Sequence, residues 1–203
     1  MDRAGTGESG TMAAERRVNM ARKDNIEIFE DTQHLYKTNQ RLVEAVNKSS
    51  SEQQMFGNRR CIIGFDGRTY AHPAKINVSP KRTLEAAAPY AYAGKKTCIL
   101  NLASATNPGG GVIKGSSAQE EAICRCSTLY PNLKEQRIWN QFYAPHRRAR
   151  DPLHNDDCIY TPGVVVLKSD VDYPQFLPGR KVGIRFNVLT CAAPNCGSVP
   201  ATK

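Results

Sequence analysis

The stretch Asn107-Pro108-Gly109-Gly110-Gly111-Val112-Ile113-Lys114-Gly115-Ser116-Ser117-Ala118-Gln119-Glu120-Glu121 constrains this chain more than any other. Three consecutive glycines lack the Cβ that keeps a ligand or another backbone at a distance, and they enter left-handed conformations at little cost. Successive N–H groups in such a turn form a concavity suited to an anion. After a gap of seven residues come a glutamine and two adjacent carboxylates, groups that move a proton or hold sugar hydroxyls. Upstream, Thr97 to Ala103 reads as a short buried strand; downstream, a helix is expected to begin near Ser117 or Ala118 and run to about Leu129. Strand, glycine loop, helix is the order in which open α/β sheets hold ligands at the carboxyl ends of their strands, with a helix dipole beside any phosphate. The competing reading is a flexible glycine turn followed by glutamates on a solvated first turn, where anions are favoured in any case.

Two better-known glycine loops do not fit. A dinucleotide-binding G-x-G-x-x-G counted from Gly109 ends on Lys114. A Walker A frame fits from Gly110 to Gly115, but Ser116 stands where the lysine belongs. Hydride transfer and nucleotide hydrolysis therefore lose their motifs.

Net charge narrows the ligand class. Of the total +9, residues 1–60 hold ten Lys/Arg against nine Asp/Glu, so the excess lies with the glycine loop in the remainder. A basic field attracts a polyanion, although a basic surface without a specific partner is the equal alternative. Generic nucleic-acid binding is the weakest reading, because the basic residues are not interleaved with aromatics. No apolar run approaches the roughly 18 residues that span a bilayer, and no secretory h-region opens the chain, so the cytoplasm is the expected location. The seven cysteines are odd in number and read as buried or indifferent thiols rather than a disulfide framework. Cys124-Arg125-Cys126 is too closely spaced for a zinc knuckle, and neither His146 nor His154 pairs with a cysteine at zinc-like spacing. No metal and no cofactor are expected.

Along the chain, residues 1–14 read as a disordered Gly/Ser/Thr-rich tail and 15–58 as a helical extension. Ile26, Phe29, Leu35, Tyr36, Leu42, Val43 and Val46 recur at helical steps and predict two packed helices, with Ser49 to Gln54 as a linker; membrane insertion or target binding is the remote alternative. Residues 59–203 then alternate strands and helices. Strands are expected at Cys61–Phe65, Ala74–Val78, Asp157–Leu167 and Val182–Cys191, and a helix at Thr83–Tyr92. Residues 131–156 read as helix and loop anchored by Trp139, Phe142 and Tyr143.

The GGG turn, a short spacer and QEE resemble the signature of poly(ADP-ribose) glycohydrolases. The flanking words Cys98-Ile99-Leu100-Asn101-Leu102-Ala103-Ser104, Leu129-Tyr130-Pro131, Tyr160-Thr161-Pro162-Gly163-Val164-Val165-Val166 and Ala192-Ala193-Pro194-Asn195 resemble the microbial-type branch of that family. The resemblance implies an α/β, macrodomain-like mixed sheet flanked by helices. It implies hydrolysis of ribose–ribose bonds in poly(ADP-ribose), with Glu121 as acid/base and Glu120 binding hydroxyls of the ribose pair. It also implies that Gln119 orients these groups, that Asn107 contacts a ribose, and that Gly109, Gly110 and Gly111 wrap the diphosphate. To act as an acid near neutral pH, Glu121 would need a raised pKa, which burial beside Glu120 favours and the helix dipole opposes. Lys114 and Lys134 read as solvated, Tyr130 as either a base platform or core, and Arg147-Arg148-Ala149-Arg150 as either a charged loop or a grip on polymer phosphates.

Members of that family continue past the strand near Cys191 with another strand, a helix and a second loop, for which Ala192 to Lys203 are too short. A sheet stopped there exposes an apolar edge or face. The alternatives to a glycohydrolase are thus a module that binds ADP-ribose, free or on modified proteins, without cutting it, and an inactive fragment.

Overall fold

The computed structural model describes residues 7–57, 71–171 and 183–195. Helix α1 (Gly7–Thr38) begins inside the stretch expected to be disordered, so residues 7–14 are helical. Once a nucleus exists, each added residue gains a backbone bond, and the Met-Ala-Ala-Glu-Arg-Arg run that follows Thr11 is rich in good helix formers. Residues 1–6 and the strand expected at Cys61–Phe65 lie outside the described residues.

Asn39 ends α1 and starts α2 (Gln40–Glu52): its extended backbone and its side chain, accepting from the Arg41 N–H, make it an N-cap. Buried positions run Phe29, Thr32, Tyr36 and then Leu42, Ala45, Ser49, each at steps of three and four. The extension is therefore two packed helices, as its periodicity requires. It is not a separate appendage. Phe29 belongs to the main core and meets the Tyr130 ring edge-on at 4.9 Å. The expected linker is the end of α2, with Ser49 only 2 % exposed, leading directly into strand β1 (Gln54–Phe56).

The sheet contains β1, β2 (Cys98–Ala103), β3 (Cys158–Val166) and β4 (Ile184–Ala192) in the order β1-β3-β4-β2. The β1–β3 and β3–β4 pairs are antiparallel, while β4 and β2 run parallel. At Pro162-Gly163 the β3–β4 register slips: proline lacks a donor and Gly163 takes φ 66°, which makes a bulge between Thr161 and Val164. Ala74 to Val78 forms no strand among the described residues, and Ile76 and Val78 are exposed. Helix α3 (Thr83–Tyr92) matches its expected bounds; its first N–H groups, Leu84 and Glu85, are capped by the Asp170 carboxylate at 2.8 and 3.1 Å.

The helix expected to run to about Leu129 is α4 (Gln119–Cys126); it stops where Ser127 turns extended, and α5 (Leu129–Leu133) begins beyond Thr128. A short α6 (Gln136–Ile138) runs through a π-turn at Trp139–Tyr143 into α7 (Ala144–Ala149). Phe142 and Tyr143 are fully buried, as anchors should be, and Trp139 is half-buried. Strand β2 alternates buried Ile99, Asn101 and Ala103 with outward Cys98, Leu100 and Leu102, the last 52 % exposed. Among the described residues no helix is long and apolar enough to cross a membrane.

Phe29 is the bolt between the N-terminal helices and the sheet domain. Phe29→Ala is expected to cost about 3–5 kcal/mol, read as a fall in the thermal unfolding midpoint. Ile76→Ala, at an exposed position, should stay within about 0.5 kcal/mol. Equal shifts for the two would show that α1 does not share the core.

Candidate active site

The glycine turn sits at the carboxyl end of β2, where the sheet argument places a ligand. Gly109 and Gly110 have φ of 69° and 58°, a region costly for residues with a Cβ. Space forbids side chains as strictly as torsion does. A Cβ on Gly109 would lie 2.7 Å from the Tyr130 ring, and one on Gly110 would lie 2.5 Å from Glu121 Oε1 and 3.1 Å from Glu120 Oε2. The close approach that these glycines permit is first of all that of the protein's own carboxylates.

This changes the expected use of the loop amides. The Gly111 N–H donates to Glu121 Oε1 at 2.8 Å, the Ser104 N–H donates to Glu120 Oε2 at 2.8 Å, and the Gly109 N–H also faces Glu120. Gly110 N–H closes the turn on the Asn107 carbonyl. The turn thus hands N–H groups inward to Glu120 and Glu121 where an outward anion nest was expected. Each carboxylate keeps one oxygen, Glu120 Oε1 and Glu121 Oε2, buried with no hydrogen-bond partner among the described residues. Glu121 lines a cavity of about 760 Å³, together with Asn107, Gly110, Gly111, Tyr130 and Trp139.

Consecutive residues on a helix diverge by about 100°, yet both side chains are long enough to converge beside Gly110 from the first turn of α4. Gln119 sets that turn. Its amide nitrogen donates to the Leu100 carbonyl and to Thr83 Oγ1, and its amide oxygen accepts from the Leu102 N–H. It does not bond either carboxylate; it pins α4 to the open edge of β2 and so fixes the carboxylates through the backbone. The raised acid is Glu120: burial, and secondarily the charge of Glu121, lift its carboxyl to about 7 against the pull of the Ser104 N–H.

The far end of the loop is held by α1. Gly115, at φ 72°, has the Arg22 carbonyl so close that a Cβ would overlap it, and Asn25 donates to the Gly115 carbonyl at 3.0 Å. Buried Arg125 bonds the Ser116 carbonyl. Tyr130 packs against the core and beside Gly109, with Lys134 Nζ 5.5 Å from its ring centroid.

Arg147 is the residue whose role the sequence concealed. It lies on α7 rather than in a loop, and its guanidinium donates to Asn107 Oδ1 and to the Thr106 carbonyl, each at 2.7 Å. The same group rests 4.7 Å over the Trp139 ring, and the Tyr143 ring stacks on that tryptophan at 6.1 Å. With its oxygen taken by Arg147 and one amide hydrogen donated to Thr106 Oγ1 at 3.2 Å, Asn107 has a second amide hydrogen left to offer. The only signal in the sequence was arginine in a basic run, forty residues from its partner.

Known proteins resemble this chain in sequence and in fold. A family model for the catalytic domain of microbial-type poly(ADP-ribose) glycohydrolase (PARG) matches residues 11–169, a span that starts within α1 and includes all of α2. Among solved structures, PARG from Thermomonospora curvata is 31% identical with a TM-score of 0.75, covering 88% of this chain and 67% of that one. The same enzyme bound to the inhibitor ADP-HPD gives a TM-score of 0.73 at 31% identity, over 88% and 66% of the two chains. PARG from Deinococcus radiodurans in complex with ADP-ribose is 30% identical with a TM-score of 0.64, over 76% of this chain and 59% of that one. The chain therefore spans about two thirds of the length of these relatives or somewhat less. No curated protein sequence matches.

A carboxyl whose pKa rises on folding stabilises the fold below its unfolded value and loses that contribution as pH climbs through its folded value. With Glu120 moving from 4.5 to about 7, the unfolding midpoint of the protein is expected to fall as pH rises across that interval. Glu120→Gln should flatten the slope. Parallel profiles for the two proteins would contradict the assignment of the raised pKa to Glu120.

Proposed function

Since the chain belongs to the microbial-type PARG family, we propose that it hydrolyses the ribose–ribose O-glycosidic bonds of poly(ADP-ribose) and releases ADP-ribose. The observation that carries this reading is the carboxyl of Glu121: one oxygen is held by the Gly111 N–H, the other is unpartnered, and the side chain lines the cavity beside the glycine turn. A carboxyl oriented through one oxygen and free at the other is built to give and take a proton.

In the proposed step Glu121 donates its proton to the departing 2′ oxygen as the bond from that oxygen to the anomeric carbon breaks. The sugar passes through an oxocarbenium-like state. Water then adds its oxygen to the anomeric carbon and returns a proton to Glu121, so the enzyme ends as it began. Glu120, uncharged for part of the neutral range, binds hydroxyls of the ribose pair. Gly109, Gly110 and Gly111 supply a surface without side chains against which the diphosphate lies. Asn107, turned by Arg147, donates its remaining amide hydrogen to a ribose oxygen. The T. curvata enzyme's complex with ADP-HPD and the D. radiodurans enzyme's complex with ADP-ribose support this ligand class.

Labelled polymer offers the direct measurement. Glu121→Gln is expected to lower turnover by at least about a hundredfold while calorimetric ADP-ribose binding persists; equal turnover by both proteins removes the role given to Glu121. Binding of ADP-ribose by the unaltered protein with no polymer turnover at all would instead select the non-cutting module.

Arg147 gives a second readout. Arg147→Ala is expected to weaken ADP-ribose binding about tenfold, the scale of one charge-assisted hydrogen bond, and Arg147→Lys, which cannot bond Thr106 and Asn107 with one planar fork, should recover little. Unchanged affinity in Arg147→Ala would show that the orientation of Asn107 does not matter to the ligand.

A further inference from the structure

Two thiols face each other in the middle of the sheet. Cys158 on β3 and Cys191 on β4 are directly opposed in the antiparallel register, before the Pro162-Gly163 bulge disturbs it. Both are half-buried and unbonded, and each is close enough to perturb the proton affinity of the other. Directly opposed residues of an antiparallel pair have Cα atoms about 4.5–5.5 Å apart and side chains on the same face. That separation falls within the roughly 4.4–6.8 Å that a disulfide bridges. The same row continues to Phe56 on β1 and Leu102 on β2, so it lies on the face where Leu100 and Leu102 are open. Other described cysteines are poorly placed to compete. Cys124 and Cys126 are buried on α4, and Cys98 lies four residues along β2 from Leu102, roughly 13 Å away.

We propose that Cys158 and Cys191 form a reversible disulfide by exchange with a low-molecular-weight disulfide such as oxidised glutathione. The Cys158 thiolate attacks one sulfur of the small disulfide, forming a mixed disulfide and releasing a small thiolate. That thiolate takes the proton of Cys191, which attacks the Cys158 sulfur and releases the second small thiol. Two protein thiols are oxidised, one small disulfide is reduced to two thiols, and no other reagent is needed. The order of attack follows from Cys191, half-buried and beside Cys158, holding its proton the more strongly. Burial holds both thiols above their ordinary value, Cys191 at about 11, so exchange accelerates with pH, about tenfold per unit between about pH 7 and 9. The bridge crosses two inner strands. It meets no catalytic carboxylate, so it is independent of the activity proposed above.

The test uses the full native chain incubated with oxidised glutathione at about pH 8, quenched with acid, and digested with trypsin without reductant. Thiols titrated in denaturant are expected to fall by two from the seven in the sequence. The peptide of residues 151–168 should appear joined to that of residues 186–203. Because the second peptide also contains Cys196, Cys196→Ser should keep the link. Cys191→Ser should abolish it and leave glutathione trapped on Cys158. A link that survives Cys191→Ser overturns the assignment, as does a stable glutathione adduct on the unaltered protein. So does an unchanged thiol count in protein that circular dichroism shows to be folded.

Discussion

The hydrogen bonds from the glycine turn to the two glutamates hold the site together. Buried carboxylates are costly unless polar partners meet them, and here those partners are the main-chain N–H groups of Ser104 and Gly111. The turn can pass that close only because Gly110 leaves empty the volume that Glu121 and Glu120 fill. Loop and helix therefore specify each other. A side chain in the turn would displace the acids, and without the acids the Gly111 and Ser104 amides would lose their acceptors. The outer supports act on this unit: Gln119 fastens the helix to β2, and α1 fastens the loop at Gly115.

Much of this was legible in the chain. The α3 bounds, strands β2, β3 and β4, the glycine turn and the start of α4 followed from local pattern, since each is either strongly periodic or bounded by turn residues. Other features depend on partners remote in sequence. β1 has only three residues, too few for alternation to register, and exists because β3 offers an edge. Arg147 looks like any arginine in a basic run until its fork is seen on Thr106 and Asn107. Gln119 carries a motif position whose chemistry suggested contact with the acids, whereas its amide completes the edge of a strand. The direction of the turn amides was equally hidden, because glycine spacing says that N–H groups can gather but not toward which side.

The N-terminal helices change in meaning between sequence and structure. Their apolar stripe alone allows a free-standing pair. In the fold, Thr32 bonds the Arg125 carbonyl at 2.5 Å, Lys168 reaches the Ile28 carbonyl and Asp31, and Asn132 bonds Val46 and Ser50. These polar ties explain why small or hydrophilic residues occupy inward positions in a stripe that hydrophobicity alone would leave interrupted. They also agree with a family match that starts within α1.

Asp170 closes the first turn of α3 from 86 residues downstream. During synthesis at about 5–20 residues per second, Thr83 to Tyr92 leaves the ribosome several seconds before its capping carboxylate is even polymerised. A ten-residue helix is marginal in isolation, so α3 must wait, frayed at its leading end, for the chain beyond β3 to arrive. The nascent polypeptide thus completes this helix late, from its far neighbour, although the residues that form it are among the most plainly helical in the text.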